Sequence, residues 1–513
     1  MVDNRGKLMW ASFLTLIAAG MGFGVRTGTL AEWAGQFGFT KFELGTITGG
    51  GLVGFGLVIL VASFFTDRIG YKTILLLAFL LHVVSVVITL SASFMYESFG
   101  KGAAYDCLYW GTFIFAIANG LCEAVINPLI ANIYPEKKTH YLNILHAGWP
   151  GGLILGGIVG YLFLGPKAVI QQLPWEVVLG LYLLPAIWYG FIVLTQRFPQ
   201  SDVAKAGITF GESIAQFASP LLLFLLVLHA CVGYVELGTD SWITNITESM
   251  TGNGFMLFIY ASLIMFVLRF FAGPIVERIN PLGLLCISTV LGTGGLLLLG
   301  KSQSATVAWI AVTIYGFGKT FLWPTMLGIV GERFPKGGAL TMGALGGIGM
   351  LSAGVLGTQG IGYKQDRFAS EQLQKAQATY ERYQASEEKS FLFFKPVRGI
   401  DGLRKEVVLD PDGPASSLNK DYALKQEALE KKEIEKMPEQ LAGLKQWWDD
   451  TAAAHVEEDK DLVKEANEFG GRMALQLTAA VPAFMFVGYL ILVIYFAMTG
   501  GYKTLEIDGK ASK

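Results

Sequence analysis

Residues 63–72 read Ser-Phe-Phe-Thr-Asp-Arg-Ile-Gly-Tyr-Lys and follow an apolar stretch. That stretch is long enough to cross a bilayer, which takes roughly 20 residues. A second apolar stretch ends in a related loop, because residues 273–278 read Gly-Pro-Ile-Val-Glu-Arg. The acidic residues of the two loops, Asp67 and Glu277, are 210 positions apart. This recurrence indicates that the chain contains two related halves.

A second pair of apolar segments supports the same duplication. Three residues correspond at a constant spacing of 196 positions: Gly120, Glu123 and Pro128 with Gly316, Lys319 and Pro324. Both pairs of segments run in the same direction relative to their neighbours. The sequence therefore predicts a parallel repeat of two six-span units.

Composition places the chain among integral membrane proteins. Hydrophobic residues make up 52% of it, charged residues only 16%, and the mean hydropathy is +0.48. A soluble domain carries about a quarter charged residues. A net charge of -2 without a concentrated basic segment gives no reason to expect nucleic acid as a partner. Twelve apolar segments are predicted to span the bilayer: 8–30, 43–65, 72–93, 108–133, 143–164, 175–196, 219–241, 254–273, 282–300, 305–330, 339–360 and 471–498.

The predicted fold is an all-α membrane protein with two pseudo-symmetric six-helix bundles and a hydrophilic insert between spans 11 and 12. Lys and Arg cluster in alternate loops, which places both termini in the cytoplasm. A bacterial inner membrane and a monomer are expected. The predicted boundaries are 1–198 for the first bundle, 199–218 for a linker, 219–360 for spans 7–11, 361–470 for the insert, 471–498 for span 12 and 499–513 for a cytoplasmic tail.

The insert, residues 361–470, holds half of the chain's Asp, Glu, Lys and Arg residues. Segments 370–389 and 419–450 have helix-forming compositions, and 410–414 reads as a turn. The topology places the insert outside the cytoplasm. Two interpretations remain open at this point, a solvated helical cap or spacer and a module that captures a solute or partner.

Four charged residues within the predicted spans mark a solute pathway. They are Arg26, Glu123, Glu236 and Lys319, in spans 1, 4, 7 and 10. An ionised group in the bilayer is costly, so such residues face a protein-lined cavity. We expect Glu123 to pair with Lys319 across the cavity in one conformational state, and Arg26 with Glu236, as gates or as static clamps.

Several motifs resemble known families. The loop Asp-Arg-x-Gly-x-Lys at 67–72 is similar to the signature loop of the major facilitator superfamily. Segments of spans 4, 5, 7, 10 and 11 resemble the fucose–galactose–glucose:proton symporter family: Glu-Ala-Val-Ile-Asn-Pro at 123–128, Leu-Asn-Ile-Leu-His at 142–146, Gly-Tyr-Val-Glu at 233–236, Trp-Pro-Thr at 323–325 and Gly-Gly at 346–347. The resemblance implies a transporter in which Glu123 binds a proton. The chain departs from that family at Arg26, His146 and Lys319.

The candidate site residues fall into three groups. Glu123 and Glu236 are the proposed proton-coupling carboxyls. Amide and aromatic side chains suit a sugar, because amides bond hydroxyls and aromatic faces stack on a pyranose ring. The candidate solute ligands are Arg26, Asn127, Asn143, His146, Tyr234, Asn245, Lys319 and Trp323. Asp67, Arg68, Glu277 and Arg278 are expected to form a cytoplasmic gate.

The sequence supports a secondary transporter, with proton-coupled uptake of a monosaccharide or similar polar solute as the first hypothesis. An organic-anion transporter using Arg26 and Lys319 is the second. A membrane receptor with a partner-binding insert is a third, from another class. No enzyme motif, cofactor motif or metal-ligand cluster is evident in the sequence, so none of these activities is expected.

Overall fold

The computed structural model describes residues 4–39, 41–165, 168–252, 254–431 and 436–508. Within these residues the chain is almost entirely helical, with two isolated antiparallel bridges, Gln384 to Ile400 and Lys389 to Val397. Eleven helical segments in this part of the chain are long and apolar enough to cross a membrane, and a shorter apolar helix stands eighth in order. Together they form a twelve-span architecture.

The first six spans form the N half. Their helices are Arg5–Phe37, Lys41–Ile69, Tyr71–Leu90, Lys101–Ile133, Lys138–Phe163 and, for span 6, Trp175–Gly180 with Leu183–Thr195. A short helix, Ala92–Phe99, follows span 3. Spans 1 and 5 approach closely because small residues face each other: a Cβ added at Gly20 would lie 2.3 Å from the carbonyl oxygen of Trp149.

The remaining spans form the C half, after a linker containing the short helices Asp202–Lys205 and Phe210–Ala215. Span 8 begins as Gly254–Arg269, and helix Ala272–Gly300 completes it and forms span 9 after a kink at Asn280. The other helices are Pro220–Gly233 and Thr239–Thr251 in span 7, Ala305–Lys319 and Leu322–Arg333 in span 10, Gly338–Leu351 and Gln359–Leu373 in span 11, and Val456–Thr478 and Ala480–Met498 in span 12.

Two spans of the C half contain π-helical turns. Tyr234–Gly238 interrupts span 7 and Ser352–Thr358 interrupts span 11. The turns pack against each other at glycines, where a Cβ on Gly238 would lie 2.7 Å from the Cα of Gly357. Such turns often accompany functional sites, since they redirect side chains within a helix. Here the turn in span 7 carries Glu236.

The helices of spans 11 and 12 extend into residues 361–470, the predicted insert. After its π-helical turn, span 11 continues as the helix Gln359–Leu373, and the helix that leads into span 12 begins at Val456. The exposed pair Arg367–Glu371, at i,i+4 spacing, supports the continuation of the first helix. Residues 361–373 and 456–470 therefore form an antiparallel stalk, and the rest of the insert lies between them.

The insert has its own apolar core. Helices Gln377–Tyr383, Gly402–Val408, Ser416–Glu430 and Glu439–Trp447 surround it. Buried residues include Tyr383, Val408 and Trp448, joined by Val463 of the stalk. The carboxylate of Asp459 is fully buried and accepts hydrogen bonds from Arg382 Nε, at 2.8 Å, and from Thr379. The hydrogen bond with Asp459 raises the pKa of the Arg382 guanidinium. The insert is thus a packed and mostly helical segment, called the cap below.

Candidate functional site

Glu123 forms hydrogen bonds with the residue one helical turn further along span 4. Asn127 Nδ2 donates to Glu123 Oε2 at 2.7 Å, and His146 Nε2 of span 5 lies 2.8 Å from Asn127 Oδ1. All three side chains are buried. Glu123 makes no ion pair with any residue that the structure describes. Its carboxyl group therefore has a neutral amide as hydrogen-bond donor rather than a bonded cation.

The ion pairs between the buried charges differ from the expected ones. Lys319 donates to Asp240 of span 7 at 2.5 Å, instead of to Glu123. Glu236 accepts from Arg269 of span 8 at 2.9 Å, instead of from Arg26. Both pairs lie within the C half, where the π-helical turn of span 7 presents Glu236 and places Asp240 just beyond it. The duplication predicts the positions of the charges along the spans. It does not predict which residue of the same half forms an ion pair with each of them.

Arg26 is enclosed by its own half. Its guanidinium carbon lies 3.9 Å from the ring centre of Phe115 and 5.1 Å from that of Tyr182. It donates to Ser85 Oγ at 3.3 Å and to the Gly22 carbonyl. Among the described residues no carboxylate pairs with it. Cation–π contacts and hydrogen bonds hold this charge between spans 1, 3, 4 and 6.

The other candidate ligands have varied surroundings. Asn143 donates to Thr325 Oγ1 across the two halves at 3.2 Å. Trp323 packs against His229, with ring centres 4.6 Å apart. Tyr234 accepts from Lys364 at 2.9 Å, near the insert. Asn245 is exposed, beyond the π-helical turn of span 7.

Several buried polar atoms have no hydrogen-bond partner within the described residues. They include Asn143 Oδ1, Glu236 Oε2 and both ring nitrogens of His229. Each of these residues makes one of the contacts described above: Asn143 with Thr325, Glu236 with Arg269 and His229 with Trp323. An unsatisfied buried polar atom costs about 1–3 kcal/mol, so these atoms are candidates for bonds to a bound solute.

The predicted gate residues lie at one end of the bundle, called here the latch face, where spans 2 and 3, 4 and 5, and 10 and 11 are joined. Asp67 of the N half accepts a hydrogen bond from Ala339 N, in the first turn of span 11, at 3.0 Å. Glu277 forms an exposed ion pair with Lys137 of the N half at 2.8 Å. Arg68 lies 4.7 Å from the ring centre of Phe210 in the linker, and Arg278 is exposed.

A further contact at the latch face was not predicted from the sequence. The buried carboxylate of Glu332 accepts from Thr139 of the N half at 2.7 Å and from Tyr502 of the C-terminal segment at 2.6 Å. A cavity of about 580 Å³ lies beside it, lined by residues that include Asp67, Lys138 and Leu505. Its lining shares no residue with the buried ion pairs. The cavity therefore belongs to the closed latch face and not to the candidate solute site.

Arg269, Asp240 and Glu332 are absent from the residues predicted to be functional. Arg269 and Asp240 lie inside predicted spans and satisfy the same criterion that selects Arg26 and Lys319, a charge within an apolar segment. They have no charged counterpart at the repeat spacing. A criterion that asks for a charged counterpart in the other half therefore misses Arg269 and Asp240, the partners of Glu236 and Lys319 in the two ion pairs.

Residues 12–358 match the Major Facilitator Superfamily. The chain belongs to this transporter family. Among curated relatives, the Escherichia coli tetracycline resistance protein, class E, is 25% identical over 299 residues, which cover 55% of this chain and 68% of that protein.

Two solved structures of this superfamily share the fold. FucP, the Escherichia coli fucose:proton symporter, in an outward conformation has a TM-score of 0.57 and 16% identity, covering 71% of this chain and 92% of that one. The proton:xylose symporter XylE bound to 6-bromo-6-deoxy-D-glucose has a TM-score of 0.58 and 14% identity, covering 70% and 89%. The expected fold and family are thereby confirmed.

Proposed function

We propose that this superfamily member is a proton-coupled symporter that takes up a monosaccharide or a similar neutral polar solute. Glu123 carries the transported proton, and Glu236 is the second carboxyl that responds to it. The protein acts in a bacterial inner membrane with both termini in the cytoplasm. The observation that carries the proposal is the difference between Glu123, bonded to an amide, and Glu236, bonded to a guanidinium.

Proton coupling follows from this difference. A carboxylate bonded to an arginine in a buried site strongly prefers to stay ionised, because protonation breaks the pair. Glu123 has Asn127 as its hydrogen-bond donor and no bonded cation among the described residues. It can gain a proton and lose it again without leaving a positive charge unpaired. The carboxyl that carries a proton is therefore Glu123.

Pairing of the charges favours a neutral solute. Lys319 and Arg269, the two buried cations of the C half, are each bonded to a carboxylate of that half. Arg26 is enclosed by Phe115 and Tyr182. An anionic solute would have to displace one of these partners. The unpaired atoms of Asn143, Glu236 and His229 instead suit hydroxyl groups, which both donate and accept.

Alternating access is supported by the contacts at the latch face. Asp67, Lys137 and Thr139 of the N half bond to Ala339, Glu277 and Glu332 of the C half, respectively. Opening the cytoplasmic side requires all three contacts to separate. These residues are latches of the closed state.

The test is uptake into proteoliposomes. Labelled D-glucose, D-galactose and L-fucose are compared with glucuronate and glucose 6-phosphate, each with and without an inward proton gradient. A protonophore added to the gradient samples is the control. Accumulation of a neutral sugar that the protonophore abolishes supports the proposal. Movement of the anions alone, unaffected by the protonophore, contradicts it.

A further inference from the structure

Arg269 joins three spans through one guanidinium group. It is the last residue of helix Gly254–Arg269 and is 1% exposed. Its Nη1 donates to the carbonyl oxygen of His146 at 2.7 Å, its Nε to that of Thr320 at 2.8 Å, and its Nη2 to Glu236 at 2.9 Å. His146 belongs to the N half, so this residue bridges the two halves in the membrane interior.

Prolines explain why both carbonyl groups are available. A proline has no backbone N–H, so the carbonyl four residues before it loses its helical donor. Pro150 follows His146 by four residues, and Pro324 follows Thr320 by four. In a membrane such freed carbonyls need a partner from a neighbouring helix. Arg269 supplies that partner to the proline site of span 5 and to that of span 10.

The bridge continues to Glu123. His146, whose carbonyl Arg269 binds, also bonds through its ring to Asn127, and Asn127 bonds to Glu123. Consecutive contacts thus connect Glu123 of the N half to Glu236 of the C half. An arginine suits this position because its planar group holds several acceptors in fixed directions, whereas a lysine ammonium acts as a compact point charge.

We propose that Arg269 is a positioning residue that couples the protonation of Glu123 to the relative position of the two halves. It does so by binding the carbonyls that Pro150 and Pro324 free. This inference rests on the proposed function, since it takes Glu123 as the proton carrier. A change at Glu123 alters the bonds of Asn127 and His146, and Arg269 passes the displacement of span 5 to spans 8 and 10.

The first experiment measures the bridge without any solute. Spin labels are placed at the latch face on Glu136→Cys and Thr499→Cys, both exposed, in a background without the four native cysteines. Distances between the two spin labels are measured by pulsed electron–electron double resonance in nanodiscs. We expect Arg269→Gln to reduce the short-distance population about tenfold relative to the longer one, as expected for losing one hydrogen bond to a charged group. An unchanged distribution overturns the proposal.

A double-mutant comparison tests the role of the prolines. Pro150→Ala restores an N–H that competes with Arg269 for the His146 carbonyl, so we expect it to shift the distances in the same direction as Arg269→Gln. Combined with Arg269→Gln it should add little, because the bridge is already lost. Pro128→Ala is the matched control, since Arg269 does not bind the carbonyl that Pro128 leaves without its helical donor. Additive effects of Pro150→Ala and Arg269→Gln contradict the proposal. Pro150→Ala alone retains Arg269 and tests the bridge if Arg269→Gln does not fold.

Transport separates this inference from the function on which it rests. With a sugar that the native protein accumulates, Arg269→Gln should lose gradient-driven accumulation while solute exchange without a gradient continues. Retention of full coupling overturns the role of Arg269. If no neutral sugar is transported by the native protein but the distances shift as expected, the proposed solute and proton coupling fail while the bridge between the halves stands.

Discussion

At the scale of single residues, buried charges control the candidate site through their partners. Lys319 is 1% exposed, and Asp240 is the carboxylate to which it donates. A buried ion pair adds little stability over apolar residues, but removing one member leaves an uncompensated charge. The stability of these buried charges thus depends on which residue partners each of them, rather than on the number of ion pairs.

We expect Asp240→Asn to lower the free energy of unfolding by about 3–5 kcal/mol, because Lys319 would stay buried without its carboxylate. Thermal unfolding of the purified protein in detergent measures the effect. Asp106→Asn, at an exposed position, should leave stability nearly unchanged. The double variant Asp240→Asn with Lys319→Gln should recover much of the loss. Equal stability of Asp240→Asn and the native protein would refute the importance of this pair.

At this scale the sequence predicts which side chains share a helix face, but it does not predict which residue of another span pairs with them. The bond between Glu123 and Asn127 follows from their i,i+4 spacing on one helix. The partners of Glu236 and Lys319 depend on how spans 7, 8 and 10 rotate against each other, which no residue spacing specifies. The carbonyls freed by Pro150 and Pro324 are readable from the sequence, but the residue that binds them is known only after packing.

At the scale of elements, the cap is held together by one buried ion pair as well as by its apolar core. Arg382 and Thr379, in the short helix Gln377–Tyr383 that follows the first stalk helix, bind Asp459 of the helix that leads to span 12. Helix-forming composition predicts helices here, and those helices are present. The two stalk helices, 361–373 and 456–470, are continuous with helices of spans 11 and 12.

We expect Arg382→Ala to destabilise the cap by about 3 kcal/mol, since Asp459 would remain buried without its cation. Limited proteolysis should then cleave the insert faster than in the native protein. The control is Arg367→Ala, which removes an exposed i,i+4 pair with Glu371 and should cost less than about 1 kcal/mol. Equal cleavage rates for the two variants would rule out the proposed role of Asp459.

At the scale of the whole molecule, the duplicated bundles are predictable from the sequence and the conformational state is not. Repeat spacing and apolar length specify two six-span halves. The contacts of Asp67, Lys137 and Thr139 with the C half close the latch face in this structure. Under the alternating access proposed above these contacts also open, so spacing alone does not select between the two arrangements.

Replacing residues 374–455 with a short Gly/Ser linker tests whether the insert is needed for transport. The stalk helices pack directly, with Gly470 against Ala369 and the carbonyl of Gln365, so we expect the shortened protein to fold. Proteoliposome uptake should persist. Because Lys425 of the insert lies against Gly38 of the N half, the rate should change more than the apparent solute affinity. Complete loss of uptake by a correctly folded variant would favour an essential role of the insert in solute capture.

The most direct test of the account is proton movement with Glu123→Gln. A pH-sensitive dye inside proteoliposomes records proton entry when a transported neutral sugar is added outside, and labelled sugar records exchange in parallel. We predict that Glu123→Gln abolishes sugar-induced proton entry while exchange without a gradient continues, and that Glu97→Gln, an exposed control, behaves like the native protein. Sugar-induced proton entry that persists in Glu123→Gln would contradict the central claim that this carboxyl carries the proton.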